Sequence, residues 1–516
     1  MNLFGKKSSI DNDPESLLDQ VLYKVPGNDN EITWADAVEG TLITGSTGSG
    51  KSSGPGKHIA LAMLKSNFGF VVLCAKPDER QRWEEYARSV GRQNDLVIFN
   101  KQSGLKFNFL EYEMKREGEG AGDVLNVTNI LKNLNEQNHL FNSGGQSKKD
   151  EQFWENSVKR IIGSSVTTLQ MAGEEVSIKN MQRIVSSSFR AEDLKHYKSI
   201  KYKIITDDEI SLEEREDARR ELDWLIESDY FIRTIEKIRG RLDRNEFSDP
   251  EDVSDAEMAL DYWLETLPKI GEKTTSIIIE SFMGTIDPFL NRGILRGQFS
   301  NGLSEELKPE NTYLKNKIIV IDFPIKEFGL AGAYAATIYK SVFQSAMERR
   351  DISKEVNPIP VALWVDEYQL FYNQSDGRFQ DTARSSWVAT TYITQNINNL
   401  FYVMGDNQPE ARAKGILGNL NLKYFCSNSD YSTNEWASQM IGQHLTDVVS
   451  TTIDKNNEVT KTINQVMQFR ITPDHFTTLK TGRRVNDYIV EAVVFKAGKV
   501  WGKNKENYAL VKFKQG

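Results

Sequence analysis

The stretch Gly45-Ser46-Thr47-Gly48-Ser49-Gly50-Lys51-Ser52 constrains this chain more than any other. It fits the pattern GxxxxGKS/T and follows a short apolar run, Gly40-Thr41-Leu42-Ile43-Thr44. Glycines let a backbone turn inward without Cβ clashes, so successive N–H groups can point at one phosphate chain. Lys51 then reaches the β and γ phosphates, and the Ser52 hydroxyl is suited to Mg2+. The expected ligand set is Gly45 to Ser52 together with Ser53, and the expected ligands are ATP and Mg2+. A Gly/Ser-rich turn can match such a pattern by accident, but the preceding strand pattern argues against that here.

A second constellation is Val361-Ala362-Leu363-Trp364-Val365-Asp366-Glu367, a buried-type strand that ends in two carboxylates. At the carboxyl end of such a strand Asp366 would hold the Mg2+ shell, and Glu367 would orient and polarise an attacking water. Adjacent residues cannot do both from one face of a regular strand, so the chain must turn at Glu367. Asp-Glu after a strand is also a common solvated turn or helix cap; the phosphate-loop pattern upstream strengthens the catalytic reading.

A third strand candidate, Trp387 to Ile393, runs into Thr394-Gln395-Asn396. An amide such as Gln395 can donate and accept hydrogen bonds near a γ phosphate without competing for Mg2+; an ordinary polar cap is the alternative. Arg384 precedes that strand. Its spacing fits a surface arginine in a local ion pair as well as an arginine finger that reaches a neighbouring subunit's nucleotide.

Strands and helices alternate through the first hundred residues, with Phe68 to Ala75 and Asp95 to Phe99 as further strands and a charged helix around Arg80 to Val90. That order implies an α/β fold with a mainly parallel sheet. Helical patterns take over between about Leu105 and Arg296, notably Glu151 to Met171, with a Gly/Asn/Ser-rich link at Asn142 to Ser147. Strands return at Lys317 to Phe323 and Ile359 to Asp366. The expected division is a polar lead-in over 1–35, a first part of the motor-type domain over 36–104, a helical insertion over 105–296 and the second part over 297–516. Gly54-Pro55-Gly56 falls a turn into the loop's helix, where a proline removes an N–H, so regular helix is expected only from Lys57.

With 516 residues, 39% hydrophobic and 27% charged, the chain can bury sizeable cores, and neither disorder nor a fibrous architecture is suggested. Two cysteines, Cys74 and Cys426, in apolar surroundings exclude a disulfide framework, and with five histidines they leave no zinc-ligand spacing. Lys6 and Lys7 are followed by polar residues and not by an apolar segment, and no run is long enough to span a bilayer. A cytoplasmic location without a transmembrane segment is expected. The net charge of −9 gives no whole-chain signature of nucleic-acid binding.

These motifs in this order resemble the type IV secretion coupling proteins of the TraG/TraD type, in the HerA/FtsK group of RecA-like motors. The likeness runs from about residue 36 to the end. It rests on Val71 to Ala75 with Lys76-Pro77-Asp78-Glu79, Phe107-Asn108-Phe109-Leu110, Phe153-Trp154, the strand ending at Asp366-Glu367, Thr394-Gln395 and Gly415-Ile416-Leu417-Gly418-Asn419. The resemblance implies a RecA-like P-loop NTPase domain interrupted by an inserted all-helical domain. It further implies a hexameric homo-oligomer that pulls DNA by ATP hydrolysis, with relaxosome or secretion-channel proteins as partners. By the same likeness Gln395 contacts the γ-phosphate region and Arg384 acts in trans. Many relatives carry transmembrane helices ahead of the motor, whereas polar residues precede Gly40 here; peripheral placement at the inner membrane through a partner is the corresponding expectation. An ATP-gated recruitment protein without processive translocation, or a DNA motor of a defence or packaging system, remains open.

Two basic groups are less telling. Arg233, Lys237, Arg239, Arg241 and Arg244 have acidic neighbours and read as a solvated helix face. Lys480, Arg483 and Arg484 could approach a neighbouring nucleotide or decorate a hairpin, and decoration is the expectation. The polar stretch Thr446 to Val459 reads as a loop or hairpin, and alternation from Tyr488 to Phe495 and Tyr508 to Phe513 predicts terminal strands.

Overall fold

A computed structural model describes residues 14–515 except 28, 144–150, 207–209, 292, 406–407, 454–458 and 504, with only the backbone described for 14, 135–136, 138–143, 151–155 and 453. Most of the Gly/Asn/Ser-rich link and the side chains of Phe153 and Trp154 lie outside the described residues. A small antiparallel hairpin, β1 (Val21–Lys24) with β2 (Glu31–Thr33), precedes the main sheet. The main sheet contains β3 (Thr41–Thr44), β4 (Gly69–Leu73), β5 (Leu96–Phe99), β6 (Ile318–Ile321), β7 (Val361–Val365), β8 (Val388–Thr394) and β9 (Leu422–Cys426). A projecting hairpin, β10 (Gln443–Ile453) with β11 (Val459–Phe469), follows, and β12 (Ile489–Lys496) and β13 (Tyr508–Lys514) complete the main sheet.

The nine-stranded order is β13-β12-β9-β3-β8-β7-β4-β6-β5. From β9 to β5 every pairing is parallel, and β12 joins β9 antiparallel. Parallel strands covered on both faces must be apolar on both, which is why β3, β4, β6 and β7 are buried throughout. Alternate side chains sort to opposite cores: Leu42, Val71, Leu73, Leu363 and Val365 face one, Ile43, Phe70, Val72 and Trp364 the other. Together with the P-loop at the end of β3, this is a RecA-like α/β sheet with a helical insertion.

The insertion leaves the sheet after its edge strand β5 and returns before β6. Its two ends are zipped together: Phe107 N–H donates to the Gln298 carbonyl at 2.7 Å, Asn108 N–H to Gly302 at 2.9 Å and Ser304 N–H to Lys106 at 2.8 Å. This accounts for Phe107-Asn108-Phe109-Leu110. The two phenylalanines are buried, and Asn108 caps the helix Phe109–Lys115 by accepting from the N–H groups of Leu110 and Glu111. Beyond this neck the described segments up to Leu290 are helices and their connections. They share one core with a sheet face, through Val127, Leu131 and Leu134 on the helix Val124–Ser143.

The basic cluster on the helix Tyr230–Asp243 and its end is locally neutralised. Lys237 pairs with Glu174, Arg239 with Glu236, and Arg241 and Arg244 with Glu246, while Arg233 donates to the Ile226 carbonyl. Among the described residues no helix is long and apolar enough to cross a membrane.

Candidate nucleotide site

The phosphate loop leaves the carboxyl end of β3, the crevice side of a parallel sheet. Gly48 and Gly50 have φ of 79° and 84°, a left-handed conformation that side chains disfavour. Ser46 N–H bonds the Ser427 carbonyl at 2.9 Å and Ser49 N–H the Ser46 carbonyl at 3.0 Å, so the loop closes on itself beside β9. Thr47 and Gly48 are exposed at its tip, while Lys51 is buried beneath. Among the described residues the buried Ser49 hydroxyl has no hydrogen-bond partner. A closed loop with an orphaned hydroxyl and a buried lysine fits a bound phosphate chain.

The turn after the loop is a π-helix over Ser52–Gly56, and regular α-helix runs over Lys57–Lys65. Pro55 lacks the N–H that would bond the Lys51 carbonyl, and Gly56 N–H takes that carbonyl instead, at 2.9 Å. One residue is thereby added to the turn. A Cβ on Gly56 would lie 3.0 Å from the same oxygen, and one on Gly54 would lie 2.9 Å from Val490 Cβ of β12. Both glycines are thus demanded by close approach.

Ser52 Oγ donates to Asp366 Oδ2 at 2.7 Å across 314 residues of sequence. A hydroxyl and a carboxylate in contact fit Mg2+, a hard cation that takes few protein oxygens and completes its shell with phosphate and water. The chain turns directly after Asp366: Glu367 adopts φ 54°, ψ 49°, and its N–H donates to Asp366 Oδ1 at 2.9 Å. That left-handed residue sends the second carboxylate away from the first.

Glu367 is buried and held on both oxygens. Lys76 Nζ donates to Oε1 at 2.6 Å, while Gln369 Nε2 and Gln395 Nε2 donate to Oε2 at 2.8 and 3.2 Å. Burial pushes the carboxyl up, but the bonds from Lys76 and Gln369 and the charges of Lys51 and Lys76 outweigh it and hold Glu367 below the usual carboxylate range. It is therefore ionised at neutral pH. The neighbouring Glu79 behaves oppositely: burial and the Asp366 charge push it up to about 8.

Gln395 lies just past β8 and joins two parts of the site. Its side chain meets Glu367, and its carbonyl accepts from Asn428 Nδ2 at 3.0 Å, while Asn428 Oδ1 accepts from Ser46 Oγ of the phosphate loop at 3.0 Å. Arg384 stands apart on the exposed turn before β8, and the seven residues of that strand, roughly 20 Å, separate it from Gln395. Within one subunit the fold does not bring it to the loop.

Four participants carry no role in the sequence reading. Lys76 and Glu79 follow β4 in Lys76-Pro77-Asp78-Glu79, where Glu79 Oε2 accepts from Ala75 N–H at 2.8 Å and closes the turn that presents Lys76. Asn428 lies just past β9 and Gln369 in the helical turn Tyr368–Leu370 after β7, with no signal beyond position. Arg483, expected as hairpin decoration, instead lies over the phosphate loop: a Cβ on Gly48 would meet its Nη2 at 3.0 Å.

Residues 360–481 match the family described as the TraM recognition site of TraD and TraG. No curated protein matches the chain. The fold is similar to that of the bacterial conjugative coupling protein TrwBdeltaN70, with 14% identity, a TM-score of 0.58, and coverage of 97% of this chain and 91% of that one. TrwB in complex with the non-hydrolysable ATP analogue ADPNP is similar at 12% identity and a TM-score of 0.59, covering 98% of this chain and 91% of that one. TrwB in complex with ADP and Mg2+ is similar at 13% identity and a TM-score of 0.58, covering 98% and 92%.

Proposed function

We propose that this chain, of the TraG/TraD coupling-protein type, is an ATP-hydrolysing, ring-forming motor that recruits or pumps DNA. The observation that carries the reading is the clamp on Glu367, which gathers Lys76, Gln369 and Gln395 around one ionised carboxylate beside the Ser52–Asp366 pair. A site that only bound nucleotide would have little use for a buried carboxylate kept ionised.

In this reading the loop amides and Lys51 bind the phosphates, and Ser52 and Asp366 hold Mg2+. When bound, Mg2+ supplies charge neutralisation at the β and γ phosphates. Glu367 orients the attacking water and accepts its proton. Gln395, whose 3.2 Å bond is the longest on Glu367, turns its amide toward the γ phosphate and reports its presence through Asn428 to the loop. Arg384 reaches the nucleotide of an adjacent subunit. A peripheral position at the inner membrane, through relaxosome or channel proteins, goes with this role, and the family description of residues 360–481 supports such a partner.

The reading predicts ATP hydrolysis stimulated by DNA at low salt, where phosphate contacts are strongest. Lys51→Ala should weaken nucleotide binding, while Glu367→Gln should bind ATP normally and hydrolyse it about a hundredfold or more slowly. An unchanged hydrolysis rate with and without single- or double-stranded DNA would remove the motor reading. The net charge of −9 favours a second reading, ATP-gated recruitment without processive movement. Displacement of a DNA-bound roadblock separates the two, since a recruiter leaves the block in place.

A further inference from the structure

The terminal strap between Thr481 and β12 is built onto the phosphate loop in a way that the nucleotide reading leaves unexplained. Val490 of β12 packs against Gly50 and Gly54, and the Arg483 guanidinium lies over Gly48. Arg483 is exposed and forms no ion pair among the described residues. Its backbone is at φ 61°, ψ 172°, a region that is essentially reserved for glycine and strained for any residue with a side chain.

A local network holds it there. Arg483 N–H donates to Gln515 Oε1 at 2.7 Å, Gln515 Nε2 donates to Ser53 Oγ at 2.6 Å, and Gln515 N–H donates to the Tyr488 carbonyl at 2.7 Å. Glycine at 483 would relieve the strain, yet an arginine stands there with its cation on the loop. Retaining a strained cation over a polyphosphate cradle makes physical sense when the cation meets the polyphosphate.

The side from which it comes identifies the phosphates concerned. In the order β12-β9-β3-β8-β7, the carboxylates Asp366 and Glu367 approach the loop from the β7 side, whereas Arg483 approaches from the β12 side. A triphosphate with its γ phosphate toward Glu367 therefore turns its α and β phosphates toward Arg483. We propose that Arg483 is a nucleotide-binding residue that contacts the α and β phosphates in the loop of its own subunit, positioned by Gln515. The inference rests on the reading of this crevice as a nucleotide site.

The test is a binding titration of Mg2+-ADP and Mg2+-ADPNP to the full chain, with thermal unfolding of the nucleotide-free protein alongside. Arg483→Gly removes the guanidinium while suiting the backbone conformation. It should weaken both nucleotides about tenfold, with the nucleotide-free midpoint unchanged or raised. Arg483→Lys keeps a charge and should stay within about threefold of the wild type. Wild-type affinity in Arg483→Gly, a loss confined to ADPNP, or a lowered nucleotide-free midpoint would each overturn the assignment. A wild-type chain that binds neither nucleotide would overturn the nucleotide reading itself, which a normal wild type with an unaffected Arg483→Gly would not.

Discussion

In the proposed reading Lys76 acts through another residue. Its ammonium sits 2.6 Å from Glu367 Oε1 and helps to keep that buried carboxylate ionised. In Lys76→Met the carboxylate loses its shortest bond and one of the charges that opposes burial, so its proton affinity rises and its orientation loosens. We expect kcat to fall about tenfold with KM for ATP changed less than about twofold. Steady-state kinetics at saturating and limiting ATP check this, and a change in KM alone would place Lys76 in binding. Asp366, Glu367 and Gln395 could be singled out from strand ends and side-chain chemistry. Lys76 could not, because its partner is 291 positions away and nothing local couples them. Arg483 was legible as a cation near a hairpin; only the packing of β12 beside β9 carries its strap onto the loop.

Among the elements, the short helix Trp34–Val38 joins the lead-in to the last strands. Thr33 and Asp36 form a reciprocal cap, and Asp36 also accepts from Lys499 at 2.6 Å and pairs with Lys496 at 3.1 Å. Burial pushes the Asp36 carboxyl up, but the Lys499 hydrogen bond, the Thr33 backbone and the charge of Lys496 outweigh it and leave it below the usual range. A carboxylate lowered in the folded state stabilises above its unfolded value of about 3.9, and that contribution is lost as pH falls through the folded value. Asp36→Asn should therefore cost about 2 kcal/mol between roughly pH 5 and 7, and the difference from wild type should shrink below about pH 4. Denaturant unfolding at several pH values measures it; a pH-independent difference would mean the charge is irrelevant. The alternating pattern revealed the terminal strands, but their partners on the lead-in helix came from the antiparallel register of β12 on β9.

Across the whole molecule the question is what Arg384 does. The length of β8 keeps it from its own loop, so a role in hydrolysis requires an adjacent subunit. Arg384→Ala alone should hydrolyse ATP about a hundredfold or more slowly than wild type. Mixed with Lys51→Ala subunits, it should regain measurable turnover, because an intact loop then faces an intact arginine across some interfaces. Hydrolysis rates across mixing ratios check this, and full activity from a strictly monomeric preparation would end the trans role. The insertion belongs to the same scale. Its hydrogen-bonded neck and its shared core with the sheet tie the two together.

Local chemistry, then, decided what the sequence determined by itself. A glycine-rich turn after an apolar strand, two carboxylates at a strand's end, a proline that must break the helix pattern at Gly54-Pro55-Gly56, and apolar runs that need cover on both faces each follow from steric or solvation rules within a few residues. Those rules are enough to read a parallel sheet, a helical insertion and the phosphate loop. Tertiary structure alone decided which side chains meet across the crevice: Ser52 with Asp366, Lys76 with Glu367, Asn428 between Ser46 and Gln395, and Arg483 over Gly48. These contacts depend on strand order, and strand order is set by the packing of the whole sheet, to which no short segment has access.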